Sequence, residues 1–143
     1  MYRARQGAAH RSTARSVAAR RANLATMPEI AREPAWTTTI GLFEAGRFWD
    51  AHESLEPWWL AAEGTPRAWA AGVILLCAAL HKARAMGSAR GGRRNYAKAL
   101  RHLAIVPDHF GGTDVRALEA TVHAALADAA MAPRWPWLPQ EAA

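Results

Sequence analysis

The run from Ala68 to Leu80 places 13 apolar residues in succession ("AWAAGVILLCAAL"). Crossing a bilayer takes roughly 20 residues, so this run is too short to span a membrane. As a helix it would be apolar around nearly its whole circumference, and such a helix needs neighbours on most sides to cover it. The sequence therefore predicts a soluble protein built around one central, buried helix.

The remainder of the chain also has helical periodicity. From Thr37 onward, no window alternates apolar and polar residues for long enough to indicate a strand. Gly46 should end the first helix, and Thr65 and Thr113 should cap the starts of the third and fifth. The C-terminal "PRWPWLP" should pack its two tryptophans across the bundle without forming a helix. We expect a compact all-α bundle with helices at roughly residues 38–46, 48–62, 66–86, 93–105 and 114–130.

Charge divides the chain into two parts. Residues 1–32 hold seven arginines and a single acid, Glu29, whereas the eleven basic and eleven acidic residues that follow cancel. A segment rich in arginine and alanine, with no apolar stripe, cannot bury enough surface to fold alone. We predict a disordered basic tail over residues 1–32 and one all-helical domain over residues 33–143. The same segment would also fit a leader ahead of a start at Met27, or an organelle transit peptide.

Composition limits the classes of partner. Because the basic surplus belongs to the tail, the net charge of +6 does not indicate a nucleic-acid-binding domain, and we expect no more than weak contacts of the tail with polyanions. Cys77 lies in the apolar run. Because it is the only cysteine, an intrachain disulfide is excluded, and the chain suits a reducing cytoplasm. We expect a cytoplasmic protein with an unidentified protein or small-molecule partner and no membrane partner, and the oligomeric state stays open.

Small and large residues give two packing expectations. Gly72 and the alanines of the central helix would allow a neighbouring helix to approach closely, so Gly72→Leu should overpack the bundle at a cost of roughly 1–3 kcal/mol. Seven tryptophans exceed what a core of this size usually needs. We expect one or two of them, Trp36 and Trp58, to be exposed at a partner surface.

The segment "RFWDAHESLEPWWL" carries the candidate chemistry. At 100° per residue, His52 and Glu56 fall within an apolar stripe that includes Phe48, Trp49 and Trp59. Burying an unpaired carboxylate costs several kcal/mol, so Glu56 would need a partner, and His52 lies one turn earlier. The sequence therefore predicts a buried His–Glu cluster, to which Glu53 and a histidine of the central helix are added: His52, Glu53, Glu56 and His81.

Three interpretations of this cluster stay open. It could be a hydrogen-bonded network that fixes the helix register. It could be a divalent metal site with His52, Glu56 and His81 as ligands, although "HESLE" is not the zinc-protease pattern "HExxH". It could also be an acid–base or small-ligand pocket in which apolar surroundings raise the pKa of Glu56. No cofactor is assigned by the sequence.

These residues also carry a family resemblance. The segments "LFEAGRFWDAHESLEPWW", "WAAGVILLCAALHKARAMG" and "NYAKALRHL" resemble domain of unknown function 309 (DUF309), a family of small all-helical proteins, over roughly residues 40–103. The resemblance implies an all-helical fold and no established activity. The chain departs from it in having Ala71 and Leu75 where relatives often have glutamine, and in a longer "GSARGGRR" join. Carried over by the resemblance are Gly46, Phe48, His52, Glu53, Glu56, Trp59 and His81.

A second candidate site is basic. Seven basic residues and no acid lie between Lys82 and Arg101, with glycines ahead of the fourth helix. Exposed amides at a helix start, together with Arg90, Arg93 and Arg94, would suit an anion-binding loop, but the strand and the Gly-Lys-Ser/Thr ending of a P-loop are missing. The alternative is a solvated basic face.

We therefore expect a non-enzymatic binding or scaffold protein. The alternative is a metal-dependent or acid–base enzyme that uses His52, Glu53, Glu56 and His81. Neither interpretation names a substrate, because no motif in the chain specifies one.

Overall fold

The fold is described by a computed structural model, which covers residue 30 and residues 32–139. Within this part the chain forms five helices and one short hairpin of strands, so the predicted all-α bundle is confirmed. The elements are α1 (Pro34–Glu44), α2 (Phe48–Ala61), α3 (Gly64–Arg84), α4 (Ala89–Leu103), β1 (His109–Phe110), β2 (Thr113–Asp114) and α5 (Val115–Ala127).

The predicted central helix is α3. It packs against α2, α4 and α5. Its buried residues include Trp69, Leu76, Cys77 and Leu80, which lie in the predicted apolar run. Gly72 faces α4 so closely that a Cβ atom built on it would lie 2.3 Å from Cδ2 of Leu103. The prediction that this glycine permits close helix approach is confirmed.

The turn between α1 and α2 ends the first helix as predicted. Gly46 has a φ of 76°, a backbone conformation that glycine adopts without a Cβ clash. Its amide donates to the carbonyl of Phe43, and the amide of Arg47 donates to the carbonyl of Leu42. This is the Schellman pattern, which satisfies carbonyls that the helix end would otherwise leave open.

Two predicted helix caps are wrong by one or two residues. The residue that precedes α3 is Glu63 rather than Thr65, because Gly64 and Thr65 already belong to the helix. At the start of α5 the cap is Asp114 rather than Thr113, since the Asp114 carboxylate accepts a hydrogen bond from the amide of Ala117 at 3.0 Å. A carboxylate is a strong acceptor for the free amides of a first turn.

The prediction that the domain lacks strands is also wrong, although only slightly. β1 and β2 pair antiparallel, with Phe110 opposite Thr113, across Gly111 and Gly112, which both have positive φ. Each strand has two residues, too few for an alternation of apolar and polar side chains to be visible in a sequence.

The C-terminal tryptophans follow the prediction in part. Trp135 is buried, and its indole donates to the hydroxyl of Thr113, itself fully buried, at 2.8 Å. Its ring meets Phe43 and Trp69 edge-on. Trp137 does not pack across the bundle as predicted, because its side chain is 48% exposed.

The expectation of a partner surface at Trp36 and Trp58 is wrong. Trp36 is 1% exposed and stacks on Trp69, with ring centroids 5.3 Å apart. Trp58 is partly buried against Trp36, and its indole donates to Glu33 at 2.5 Å. The excess of tryptophan is therefore used largely in the core.

The predicted boundary between tail and domain, after residue 32, leaves Ile30 in the tail. Ile30 was expected in the tail, yet it is 1% exposed and belongs to the hydrophobic core. The prediction of a disordered tail concerns residues 1–29 and 31 as well, which lie outside the described residues. Among the helices that are described, none combines the length and apolarity needed to cross a membrane.

Candidate binding face on the second helix

The buried face of α2 is not the face predicted from the sequence. Phe48, Ala51 and Leu55 are its buried residues, and Ser54 and Trp58 lie beside them. With Leu55 taken as the centre, His52 lies about 60° away and Glu56 about 100° away at 100° per residue. The predicted buried stripe, which contains His52, is therefore rotated by about 60° from the face that is buried in the structure.

Two polar side chains explain this error. Ser54 was left out of the predicted apolar stripe, but its hydroxyl bonds Thr39 of α1 at 2.8 Å and donates to the carbonyl of Ala51. Trp58 was assigned to solvent, but its N–H is paired with Glu33. Once a polar group has a partner, its side chain can be buried at little cost.

The prediction that the His–Glu cluster is buried is consequently wrong. Glu53 and Glu56 are exposed, and His52 and His81 are partly buried. Because water solvates an exposed carboxylate, Glu56 does not need the histidine partner that the sequence argument required. Among the described residues, no hydrogen bond or ion pair joins His52 to either glutamate.

What the structure does bring together is one tryptophan and two histidines. The ring of Trp49 stacks on His52, with centroids 4.7 Å apart and planes 15° apart. The same ring lies 5.0 Å from His81 of α3, tilted by 40°. Trp49 is nevertheless 45% exposed. Its indole thus contacts two histidine rings and is still open to solvent.

The environment of His52 favours its neutral form. Burial lowers the pKa of His52 below its ordinary value of 6.5, and the nearby His81 lowers it further. The negative charges of Glu56 and Glu53 act in the opposite direction without cancelling the effect of burial. Nδ1 of His52 is buried and has no hydrogen-bond partner among the described residues. The imidazole therefore acts here mainly as an aromatic surface for Trp49.

The arrangement does not form a ready metal centre. Within residues 30 and 32–139, no three His, Cys, Asp or Glu side chains are grouped so that they could hold a metal ion. His52 is stacked on the ring of Trp49, and His81 lies tilted against the same ring. A metal bound by His52, Glu56 and His81 stays a prediction.

The outward side of α2 carries a coherent set of exposed residues. At 100° per residue they fall within an arc of about 60° along the helix. Trp49 and Leu60 are 45% and 36% exposed, and the other two members of the set are exposed glutamates. We call this set the α2 face: Trp49, Glu53, Glu56 and Leu60.

The sequence contained a signal for this face. Its residues follow one another at spacings of four, three and four, which is the pattern of one helix side. The two carboxylates in the middle of that pattern are typical of a solvated side, but Trp49 at one end was assigned to the apolar stripe. An exposed tryptophan was therefore missed.

The predicted anion-binding loop belongs to the first turns of α4. Arg90, Arg93 and Arg94 are exposed. The amide of Gly91 is already used, because it donates to the hydroxyl of Ser88 at 2.9 Å. The arginines therefore lie on the surface of a helix rather than around a glycine loop with open amides.

Comparisons with known proteins agree with the resemblance. The family model described as "Domain of unknown function (DUF309)" matches residues 36–95. Among solved structures, the chain is similar to a conserved hypothetical protein from Thermus thermophilus, with 41% sequence identity and a TM-score of 0.60. The similarity covers 66% of this chain and 97% of that one. No curated protein matches the chain.

Proposed function

The chain belongs to the DUF309 family, and from the α2 face we propose that it is a non-enzymatic binding module for a basic segment of another protein. The observation that carries the proposal is Trp49, which is 45% exposed although its ring contacts the rings of His52 and His81. A rigid, exposed aromatic side chain loses little entropy when a partner covers it, and tryptophan is enriched among residues that dominate binding energy.

The charge of the face supports a basic partner. Glu53 and Glu56 are exposed, and the ion pairs of the described part involve only Arg47 and Arg116 on the basic side. Lysine or arginine side chains of a partner could pair with these carboxylates. A cation could also lie over the Trp49 ring, whose faces are electron-rich.

The two histidines act as supports in this proposal. A neutral His52 adds no positive charge that would repel a basic partner, and its ring limits the rotamers of Trp49. Below its pKa it would gain a positive charge next to the binding residues. Binding should therefore weaken in mildly acidic solution.

The test is fluorescence anisotropy with a labelled peptide rich in lysine and arginine, compared with an acidic peptide of the same length. Trp49→Ala should weaken binding of the basic peptide at least about tenfold, as the loss of a central aromatic anchor does. Glu53→Gln combined with Glu56→Gln should weaken it as well, and more so at low salt. The acidic peptide should not bind.

The matched control is Trp137→Ala, which removes a tryptophan of similar exposure, 48%, from another part of the surface. This variant should bind the basic peptide like the unmodified protein. Equal losses for Trp49→Ala and Trp137→Ala, or equal binding of both peptides, would refute the proposed face.

A second candidate function is an acid–base enzyme at the same place. It is favoured by the neutral imidazole of His52, which could accept a proton, close to the carboxylates of Glu53 and Glu56. The test is hydrolysis of an activated ester such as p-nitrophenyl acetate. A rate above background that His52→Gln abolishes, while Trp137→Ala leaves it unchanged, would favour the enzyme over the binding module.

The metal interpretation has a separate test. If His52, Glu56 and His81 bind a divalent metal, a chelator should lower the Tm, because a ligand that binds only the folded state stabilises it. Under the binding-module proposal the Tm should not respond to a chelator. For the location, buried and reduced Cys77 fits the cytoplasm that we propose.

A further inference from the structure

The solvent side of α4 is a continuous cationic surface. At 100° per residue, five basic residues of this helix fall within an arc of about 140°. All five are exposed, and no acidic residue occurs anywhere between Lys82 and Pro107. We call this set the α4 face: Arg90, Arg93, Arg94, Lys98 and Arg101.

Its charges are not neutralised by the rest of the bundle. The three ion pairs among the described residues use Arg47 and Arg116, so no member of the α4 face takes part in one. The opposite side of the helix packs on the core through Gly92, Ala99 and Leu103. Within the described part of the chain no acidic side chain pairs with these five cations, so solvent ions or an external anionic partner would relieve their repulsion.

Two exposed apolar residues lie next to α4 along the chain. Ile105 is 69% exposed and Met86 is 58% exposed, more than any other large hydrophobic residue in the described part of the chain. Met86 lies just before α4, and Ile105 lies just after it. Ala104, the C-cap of α4, keeps helical backbone angles (φ −58°, ψ −31°), and Ile105 follows it in the turn after the helix, four residues after Arg101.

We infer that the α4 face is a docking surface for an anionic lipid bilayer, although the sequence led us to expect no membrane partner. Cations with apolar side chains at their margins are the combination that binds a membrane surface, since arginines attract the headgroups while the apolar groups enter the acyl boundary. A nucleic acid would account for the arginines but would give no reason for Ile105 and Met86 to be exposed. The α2 face lies on another helix, so this inference does not depend on the proposed function.

The first test is sedimentation of the full chain with vesicles of phosphatidylcholine alone or with 30 mol% phosphatidylserine added. Binding should require the anionic lipid and should weaken as salt is raised. Changing Arg90, Arg94 and Arg101 together to Gln should lower partitioning about a hundredfold, since each cation near such a surface contributes about fivefold. The matched control changes Arg11, Arg15 and Arg20 to Gln, which removes the same charge from the N-terminal segment.

The control variant should lose less than about fivefold in partitioning, the contribution of a single cation. If the two triple variants lose partitioning equally, or the control loses more, the α4 face is not the docking surface. Circular dichroism should confirm that both variants keep the helical content of the unmodified protein.

The second test separates a bilayer from a nucleic acid without changing charge. Met86→Ser combined with Ile105→Ser should lower vesicle partitioning at least about tenfold, because burial of two apolar side chains is lost. The matched control is Ala85→Ser combined with Ala104→Ser, at two exposed neighbouring positions, and it should bind vesicles normally. Vesicle binding that is insensitive to the Met86 and Ile105 changes, with tighter binding to duplex DNA, would overturn the inference in favour of a nucleic acid.

Discussion

The contact between α3 and α4 gives the sharpest prediction about stability. Gly72→Ala adds one Cβ atom, which would lie 2.3 Å from Cδ2 and 2.5 Å from Cγ of Leu103. Ordinary contacts between carbon atoms are about 3.5–4.0 Å, so the two helices or the Leu103 side chain must move by more than about 1 Å. Leu103 is fully buried and has no solvent into which it can turn.

The magnitude follows from two opposing terms. Overpacking a core costs typically about 1–3 kcal/mol, whereas replacing glycine by alanine in a helix gains about 1 kcal/mol. We expect Gly72→Ala to lower the free energy of unfolding by up to about 2 kcal/mol. For a domain of this size that is a fall in Tm of up to roughly 10 °C, measured by circular dichroism at 222 nm.

A second glycine provides the control. Gly41 lies in α1, is exposed, and has no atom within 4 Å of the position that a Cβ would take. Gly41→Ala should therefore stabilise the protein by up to about 1 kcal/mol through helix propensity alone. Leu103→Ala should make room at the contact, so its cost combined with Gly72→Ala should be less than the sum of the two single costs. A Gly72→Ala protein that melts at or above the Tm of the unmodified protein would refute the close approach.

Three further predictions concern Glu56, His52 and Trp135. Glu56→Gln should change the free energy of unfolding by less than about 0.5 kcal/mol in urea titration, because the carboxylate is exposed. A loss above about 1 kcal/mol would instead support the hypothesis of a buried cluster. The pKa of His52 is lower in the folded state than in the unfolded chain, where it has its ordinary value of 6.5. As the pH falls below 6.5 the unfolded chain therefore binds a proton before the folded protein does, and the Tm should decrease until the pH reaches the folded pKa. His52→Gln should reduce that decrease. If Tm is independent of pH from about 7.5 to 5, this linkage is absent. Trp135→Phe should cost about 1–3 kcal/mol by leaving the buried hydroxyl of Thr113 without its indole partner, and unchanged thermal unfolding would contradict this.

The fold was predictable because its strongest constraint is local. A run of apolar residues that is too short for a membrane can only be covered by other helices, and this argument found α3 without any knowledge of its neighbours. Gly46 ended α1 for a reason that is equally local, the φ of 76° that follows the last helical turn. Such features need only adjacent residues.

The orientation of α2 was not predictable in the same way. The burial of Ser54 and Trp58 depends on Thr39 and Glu33, which are 15 and 25 residues away in the sequence. A hydropathy pattern scores a hydroxyl or an indole N–H as polar and cannot register a distant partner that satisfies it. The error of about 60° in the buried face follows from these two side chains.

Packing explains some of the residues that the DUF309 resemblance carries over to α2 and the preceding turn, but not others. Gly46 is needed for the turn and Phe48 is buried against Phe43, so packing explains both. Glu53 and Glu56 face solvent and stabilise no contact in the described part of the chain, so packing gives no reason for carboxylates at these positions. The core tryptophans already fill the interior without Trp49. We propose a binding site on this side of α2 because it carries an exposed aromatic ring and two acids without an ion pair in the described part of the chain.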